Sequence, residues 1–293
     1  MMRFIPIGII LVFLLIPGIS NAQEEDLLSL LEEEEKVEYV DAAFKTNRVI
    51  NLHSLENTSA GVLDIKISHR FGFINGGLYE LFGLDNASIR IGGDMGITDR
   101  LGIGFGRSSF EKTYDGFIKY KLLRQSKGLK KMPITFAIVA SGAIKSVRFQ
   151  DETRQNYFSS RMYYTFQGII GRKFSESFTL QLSPMVVHRN LISTVDEKND
   201  VYSLGVAVRQ KISKRLAINA EYIYVLPDQL LPEYRNSLSV GFDIETGGHV
   251  FQLHFSNSTS MIEKGFVTET VGDWGNGGVH FGFNISRVFT LWR

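Results

Sequence analysis

From Leu63 onward the sequence alternates apolar and polar residues with period two, in successive segments of about ten residues bounded by turn formers. Period two puts one face of a strand against an apolar medium and leaves the other polar. In the first segment Leu63, Ile65, Ile67, His69 and Phe71 share one face and Asp64, Lys66, Ser68 and Arg70 the other. In the second, Ala87, Ile89, Ile91, Met95 and Ile97 oppose Ser88, Arg90, Gly92, Asp94 and Gly96. Leu101, Ile103 and Phe105 oppose Gly102, Gly104 and Gly106, and the theme continues through Leu238, Val240, Phe242 and Ile244 against Ser239, Gly241, Asp243 and Glu245. Strands are predicted near 62–71, 86–97, 100–109, 114–124, 134–145, 160–173, 177–189, 201–212, 215–226, 237–245, 249–257 and 278–291. The count is even, and each segment has the length a tilted barrel strand needs.

The links alternate too. Tight turns such as Thr98-Asp99-Arg100, Ser175-Glu176-Ser177, Ser213-Lys214-Arg215 and Thr246-Gly247-Gly248 are separated by long links, read as polar, at 72–85, 146–159, 190–200, 227–236 and 258–277. Links 125–133, long for a turn, and 110–113, short for a loop, fit less well. Short periplasmic turns and long outer loops characterise outer-membrane barrels. A secreted β-sandwich would also alternate, but it gives no reason for two classes of link. The expected fold is all-β: an antiparallel transmembrane β-barrel of about twelve strands, preceded by a short N-terminal acidic helix.

The N-terminus supports export. Met1-Met2-Arg3 is a short positive end, Phe4 to Ile16 is almost wholly apolar, Pro17 and Gly18 break the run, and Ser20-Asn21-Ala22 places small residues before a cut after Ala22. The alternative, a retained anchor, needs a longer apolar run, and a lipoprotein needs a cysteine, of which the chain has none. Past Ala22 no stretch resembles a transmembrane helix, so a membrane-embedded body must be a closed barrel, the other way to satisfy every backbone group in lipid. The expected organisation is a signal peptide at 1–22, an acidic helix and plug-like or periplasmic segment at 23–60, and a barrel at 61–293, located in the outer membrane.

Charge is uneven. Residues 24–38 hold eight acids, Glu24, Glu25, Asp26, Glu32, Glu33, Glu34, Glu35 and Glu38, against Lys36, so the body behind them is basic. Arg124, Lys127, Lys130, Lys131, Arg172, Lys173, Lys211, Lys214 and Arg215 would form a basic periplasmic rim. One expectation docks 24–38 on that rim and sends 39–58 into the lumen against the bare wall of Gly92, Gly96, Gly102, Gly104 and Gly106, burying Phe44, Ile50 or Leu52. The other leaves a solvated tail free for a periplasmic partner. Aromatics gather at strand ends, Phe174, Phe178, Phe289 and Trp292 at one and Phe71, Phe110, Phe158, Tyr224 and Phe255 at the other, as two girdles.

The lumen candidates are Lys66, Arg70, Arg90, Lys119, Lys121, Arg209 and Lys211 facing Asp64, Asp94, Glu221, Asp243 and Glu245. Such a mixture either shapes a conducting constriction or locks a filled interior by mutual pairing. Gly102-x-Gly104-x-Gly106 has a nucleotide-loop spacing but sits inside a strand with no helix after it. His188, with Ser159 and Ser160 nearby, lacks a fixed orienting partner for a hydrolytic set. His53, His69, His188, His249, His254 and His280 lack ligand spacing, so no metal or cofactor is expected. The basic residues form no aromatic-interleaved stripe, which leaves no nucleic-acid partner.

Tyr39 to Gly72 (YVDAAFKTNRVINLHSLENTSAGVLDIKISHRFG) and Leu84 to Gln125 (LDNASIRIGGDMGITDRLGIGFGRSSFEKTYDGFIKYKLLRQ) resemble an uncharacterised family of Bacteroidota outer-membrane β-barrel proteins. The resemblance covers most of the mature chain and is strongest over its first hundred residues. It implies a barrel in the outer membrane; outer-membrane lipid and the barrel-assembly machinery are the expected partners of such a chain. It carries over no functional residues. The Trp292-Arg293 end departs from the terminal aromatic of many barrels. The functional expectation is a pore or transport-type barrel for small hydrophilic solutes, occluded on its periplasmic side by the N-terminal segment. A closed structural or docking barrel is the alternative, and a lipid-acting surface enzyme a third.

Overall fold

Alternation this regular closes on itself. A computed structural model describes residues 36–149, 151, 153, 155–247 and 249–292; the expected signal peptide, and the expected acidic helix apart from Lys36, lie outside them. The strands are β1 (Val37–Tyr39), β2 (Val62–Phe73), β3 (Ala87–Gly96), β4 (Leu101–Ser108), β5 (Thr113–Leu123), β6 (Ser126–Gly128), β7 (Thr135–Lys145), β8 (Met162–Lys173), β9 (Phe178–Arg189), β10 (Asp200–Lys211), β11 (Leu216–Val225), β12 (Ser237–Thr246), β13 (His249–Ser256) and β14 (His280–Thr290). All but β1 and β6 form one closed barrel of twelve antiparallel strands, each paired with its neighbours in the chain. The seam joins β14 to β2, with Phe289 opposite Leu63 and Ile285 opposite Ile67. β1 and β6 pair separately, Glu38 opposite Lys127. The long link at 125–133 is thereby explained, because it carries β6 as a partner for β1.

Inside and outside follow the alternation. Ile67, Ile91, Phe105, Leu182, Tyr222 and Phe242 are exposed toward the membrane, while Asp64, Asp94, Gln181, Glu221 and Asp243 are buried. The lumen is not polar all round, however. β7 to β11 turn Val139, Ile169, Met185, Val187, Val201 and Ile223 inward, all buried. An apolar arc of this kind would be unfavourable around water, and it is stable here because protein fills the barrel.

Two chain segments supply the filling. Residues 40–60 run inside from the end carrying the tight turns, and at Gly61 the chain turns sharply into β2. Gly61 has φ +73°, and a Cβ there would lie 2.2 Å from the Trp292 carbonyl oxygen, so glycine is required. From the opposite end the link between β13 and β14 folds inward as helix α1 (Glu263–Thr268), every residue of which is buried. This corrects its reading as a polar outer loop. The link after β2 is also not polar. Leu78, Tyr79, Leu81 and Phe82 are exposed there, the last two with φ +47° and +54°.

Candidate functional site

The chain crosses the lumen as a hairpin at 47–54. Ser54 N donates to Asn47 O (2.9 Å) and Val49 N to Leu52 O (2.8 Å), closing a tight tip. Such a tip turns its backbone N–H groups outward, and they converge on one carboxylate. Glu221 Oε1 accepts from Asn51 N (2.9 Å), and Oε2 from Ile50 N (3.2 Å) and Leu52 N (3.0 Å). Wall amides take the carbonyls: Gln252 Nε2 donates to Val49 O (2.6 Å) and Gln181 Nε2 to His53 O (2.7 Å). The hairpin's apolar residues Phe44, Val49, Leu52 and Leu55 join one buried cluster with Ile169, Val187, Val201 and Ile223 of the arc and Phe266 and Val267 of α1 and its last turn.

The two fillings meet. Arg48 pairs with Glu263 of α1, and its Nη1 also donates to Asn51 O (2.9 Å). Arg70 bridges both segments, through Nη2 to Asn51 Oδ1 (2.9 Å) and Nη1 to the carbonyls of Ser258 (2.6 Å) and Ser260 (2.9 Å). His53, fully buried, stands edge-on to Phe117 at 4.4 Å, with Nε2 3.3 Å from Glu263 Oε1. Burial first, then the charges of Arg48, Lys119, Lys66 and Arg90, push its pKa well below 6.5. At the outer end Lys264 sits between Glu111 and Glu269, and Lys145 reaches the same Glu111. Burial works against both charges, but Glu269 and Glu111 raise the pKa of Lys264, and Lys264 with Lys145 lowers that of Glu111.

The sequence-derived lumen residues fare differently from one another. Lys66, Arg70, Arg90, Asp94, Lys119, Arg209, Glu221 and Asp243 are buried, while Lys121 sits nearer the mouth, 3.5 Å from Glu56. Mutual pairing among them is rare. Arg90 finds Asp115 (Nε to Oδ1, 3.0 Å) and Arg209 lies 3.5 Å from Glu245. The others are met mostly by the filling or by neutral wall amides. Lys119 Nζ donates to the carbonyls of Ser54 (2.7 Å) and Glu56, Asn47 Nδ2 reaches Asp94 Oδ2 (3.4 Å), and Gln252 Nε2 reaches Asp243 Oδ1 (2.6 Å). Among the described residues no hydrogen-bond partner reaches Lys66 Nζ.

The glycine wall holds little of the hairpin. A Cβ on Gly92 or Gly106 would strike the Arg90 guanidinium, one on Gly104 the Phe117 ring, and only Gly96 is crossed closely by hairpin-leg backbone, at Thr58 and Ser59. The tip leans on the opposite wall, where Leu52 packs over Gly205 and Ile50 over Gly241. Asp115, Gln181, Gln252 and Asn284, whose Nδ2 donates to Ile50 O (3.4 Å), were missed as site residues. Asp115 lies in phase with Lys119, and inward amides on β9, β13 and β14 were the available signal for the rest. At the rim Val40 N donates to Gln125 O (2.9 Å), Arg124 stacks over Tyr39 at 3.9 Å and Lys173 Nζ donates to Asp41 O (3.2 Å). His188 Nδ1 lies 2.7 Å from Asp200, while Ser160 Oγ donates to Tyr157 O (2.6 Å) rather than to the imidazole.

A family model described as a membrane-bound β-barrel domain, DUF5777, matches residues 44–289, hairpin included. The chain belongs to this family. It is a membrane-bound β-barrel, and the DUF5777 match covers both the wall and most of the segment that fills it. The barrel is similar to the NanC porin (8% identity, 78% of this chain and 98% of that chain, TM-score 0.49). It is similar also to the outer membrane protein Omp33 of Acinetobacter baumannii (7% identity, 78% and 97%, TM-score 0.41) and to OmpT of Vibrio cholerae (9% identity, 79% and 99%, TM-score 0.40). A search of curated proteins finds no match.

Proposed function

We propose that this protein is a pore-type outer-membrane barrel for small hydrophilic solutes whose resting state is shut by the 47–54 hairpin. The observation that carries this reading is the clasp of Glu221 on three backbone N–H groups at the hairpin tip. A carboxylate receiving several N–H donors is a strong, charge-assisted hold, and withdrawing the hairpin leaves that carboxylate to be solvated by water in an open lumen. Besides the apolar arc, the wall then uncovered carries Asp94, Lys119, Glu221 and Asp243, groups that can meet small polar solutes. The apolar cluster shared by Leu52, Leu55, Val187 and Ile223 favours a second reading, a barrel closed throughout its life that anchors a periplasmic partner by the segment before β1.

Conductance decides between them. Asn51 Nδ2 lies 3.0 Å from Ser239 Oγ, and the chain has no native cysteine, so Asn51→Cys with Ser239→Cys creates a single cross-link that pins the tip. In planar bilayers the reduced double variant should open intermittently and the oxidised one should stay shut. Identical silence in both forms, with wild type silent too, supports the permanently closed barrel.

A further inference from the structure

The lipid-facing wall of β7, β8 and β9 carries a concave apolar site of about 730 Å³, lined by Ile138, Ala140, Phe166, Pro184 and Val186 and flanked by Tyr120 and Tyr202. Its floor is Gly168, the one position in the outward row of β8 between Phe166 and Ile170 without a side chain. The pairing of β8 with β9 stops at the same place. Gln167 pairs with Met185 and Ile170 with Leu182, but Gly168 and Ile169 pair with nothing on β9.

Register gives the reason. Beyond the strand ends, Asn190 N donates to Met162 O and Phe174 N to Phe178 O on the β8 side, whereas Arg189 N donates to Asn199 O and Lys211 N to Ser177 O on the β10 side. Even-numbered residues of β9 therefore direct their N–H toward β8, and the residue opposite Gly168 is Pro184, which has no N–H. The Gly168 carbonyl thus lacks its ladder donor. An unpaired carbonyl at the level of the hydrocarbon is costly, because lipid tails offer no donor.

We propose that this notch binds a hydrocarbon chain bearing a mid-chain hydroxyl, the chain lying between Tyr120 and Tyr202 and the hydroxyl donating to the Gly168 carbonyl. Depth selects the position of the hydroxyl. Gly168 precedes Lys173, the end of β8, by five residues, roughly 16 Å along the strand and about 13 Å in depth at barrel tilt. A donor near a headgroup falls short of it. The absent side chain of Gly168 leaves the backbone there open on its lipid side. The nearest atom to a Cβ built there is Pro184 Cγ at 3.5 Å, so a larger residue would fill the notch.

The test uses the full barrel in phosphatidylethanolamine/phosphatidylglycerol vesicles with a diazirine-bearing acyl probe, competed by 12-hydroxystearate or by stearate. Labelling should concentrate on residues 166–170 and 182–186, and the hydroxy acid should compete at roughly tenfold lower concentration, the equivalent of one hydrogen bond. Pro184→Ala restores the missing N–H, so it should make the two acids equal competitors while the protein keeps its folded gel mobility. Gly168→Leu should abolish the concentrated labelling, and if that variant does not fold, Pro184→Ala still decides. Labelling spread evenly around the barrel, or equal competition by both acids in the wild type, overturns the proposal.

Discussion

Arg48 of the hairpin and Glu263 of the infolded helix form an ion pair inside the barrel, although 215 positions separate them in the chain. Both side chains are almost wholly buried, 7% and 4% exposed. Removing one partner leaves a buried charge uncompensated, at a cost of about 3–5 kcal/mol, whereas replacing both with apolar residues costs far less. Arg48→Met and Glu263→Met should each lower the temperature at which the compact gel form is lost. The double variant should recover much of the difference, and additive losses would show that the pair does not couple the two segments.

Glu221 offers a second handle. Glu221→Ala leaves three tip N–H groups without their acceptor, each at roughly 1–3 kcal/mol if water does not reach it. The amides of Ile50, Asn51 and Leu52 should exchange with deuterium orders of magnitude faster, while those of β9 and β10 keep their protection. Unchanged exchange at the tip would mean that the apolar cluster alone holds the hairpin.

His53 should make the closure pH-dependent. Its pKa in the folded barrel lies well below 6.5 through burial and the cations around it, with Glu263 the acid at its ring. The folded state therefore binds fewer protons than the unfolded one in that window. Its contribution is complete above 6.5 and is lost as pH falls below it, by up to about 1.4 kcal/mol per unit. Hairpin protection measured from pH 7.5 to 5 should decline in the wild type and decline less in His53→Gln.

The membrane face can be checked against the lumen face. Ile91 is 54% exposed on the outer surface of β3, so Ile91→Arg places a charge in lipid, at roughly 2–4 kcal/mol near the midplane. Asp94, three residues on and buried inside, should tolerate Asn with a smaller loss of refolding yield. Equal damage from the two changes would contradict the orientation of β3.

Loop accessibility separates the infolded link from the true outer loops. Ser193 is exposed and Thr270 fully buried, with its Oγ1 donating to Phe266 O at 3.0 Å. Cysteine at 193 should react with an impermeant maleimide on intact cells, and cysteine at 270 should react only after unfolding. Reaction at both would place residues 257–279 outside the barrel.

Alternation made the wall legible because period two is a property of each strand by itself. Leu63 to Phe71 and Leu238 to Ile244 show their faces without reference to any neighbour. The contents of the lumen are set by contacts between distant segments, which leave no local period. Met261, Ile262, Phe266 and Val267 in the link before β14 read as a few apolar residues among polar ones, and only their burial in the fold reveals them. Acids and bases on one face suggested pairing across the wall. The structure instead satisfies Lys119 and Glu221 with main-chain groups of the hairpin, partners that no side-chain pattern encodes.

The seam between β14 and β2 has a bearing on biogenesis. The hairpin lies in the stretch of chain before β2, and the infolded helix in the stretch before β14, so both stoppers hang from the two strands that form the seam. With that seam open, Arg48 and Glu263 would hang from opposite flanks of the wall. Zipping β14 against β2 brings both to the same axis. Closing the cylinder at this seam therefore also closes the Arg48–Glu263 contact across its bore, so the wall and its seal share one joint.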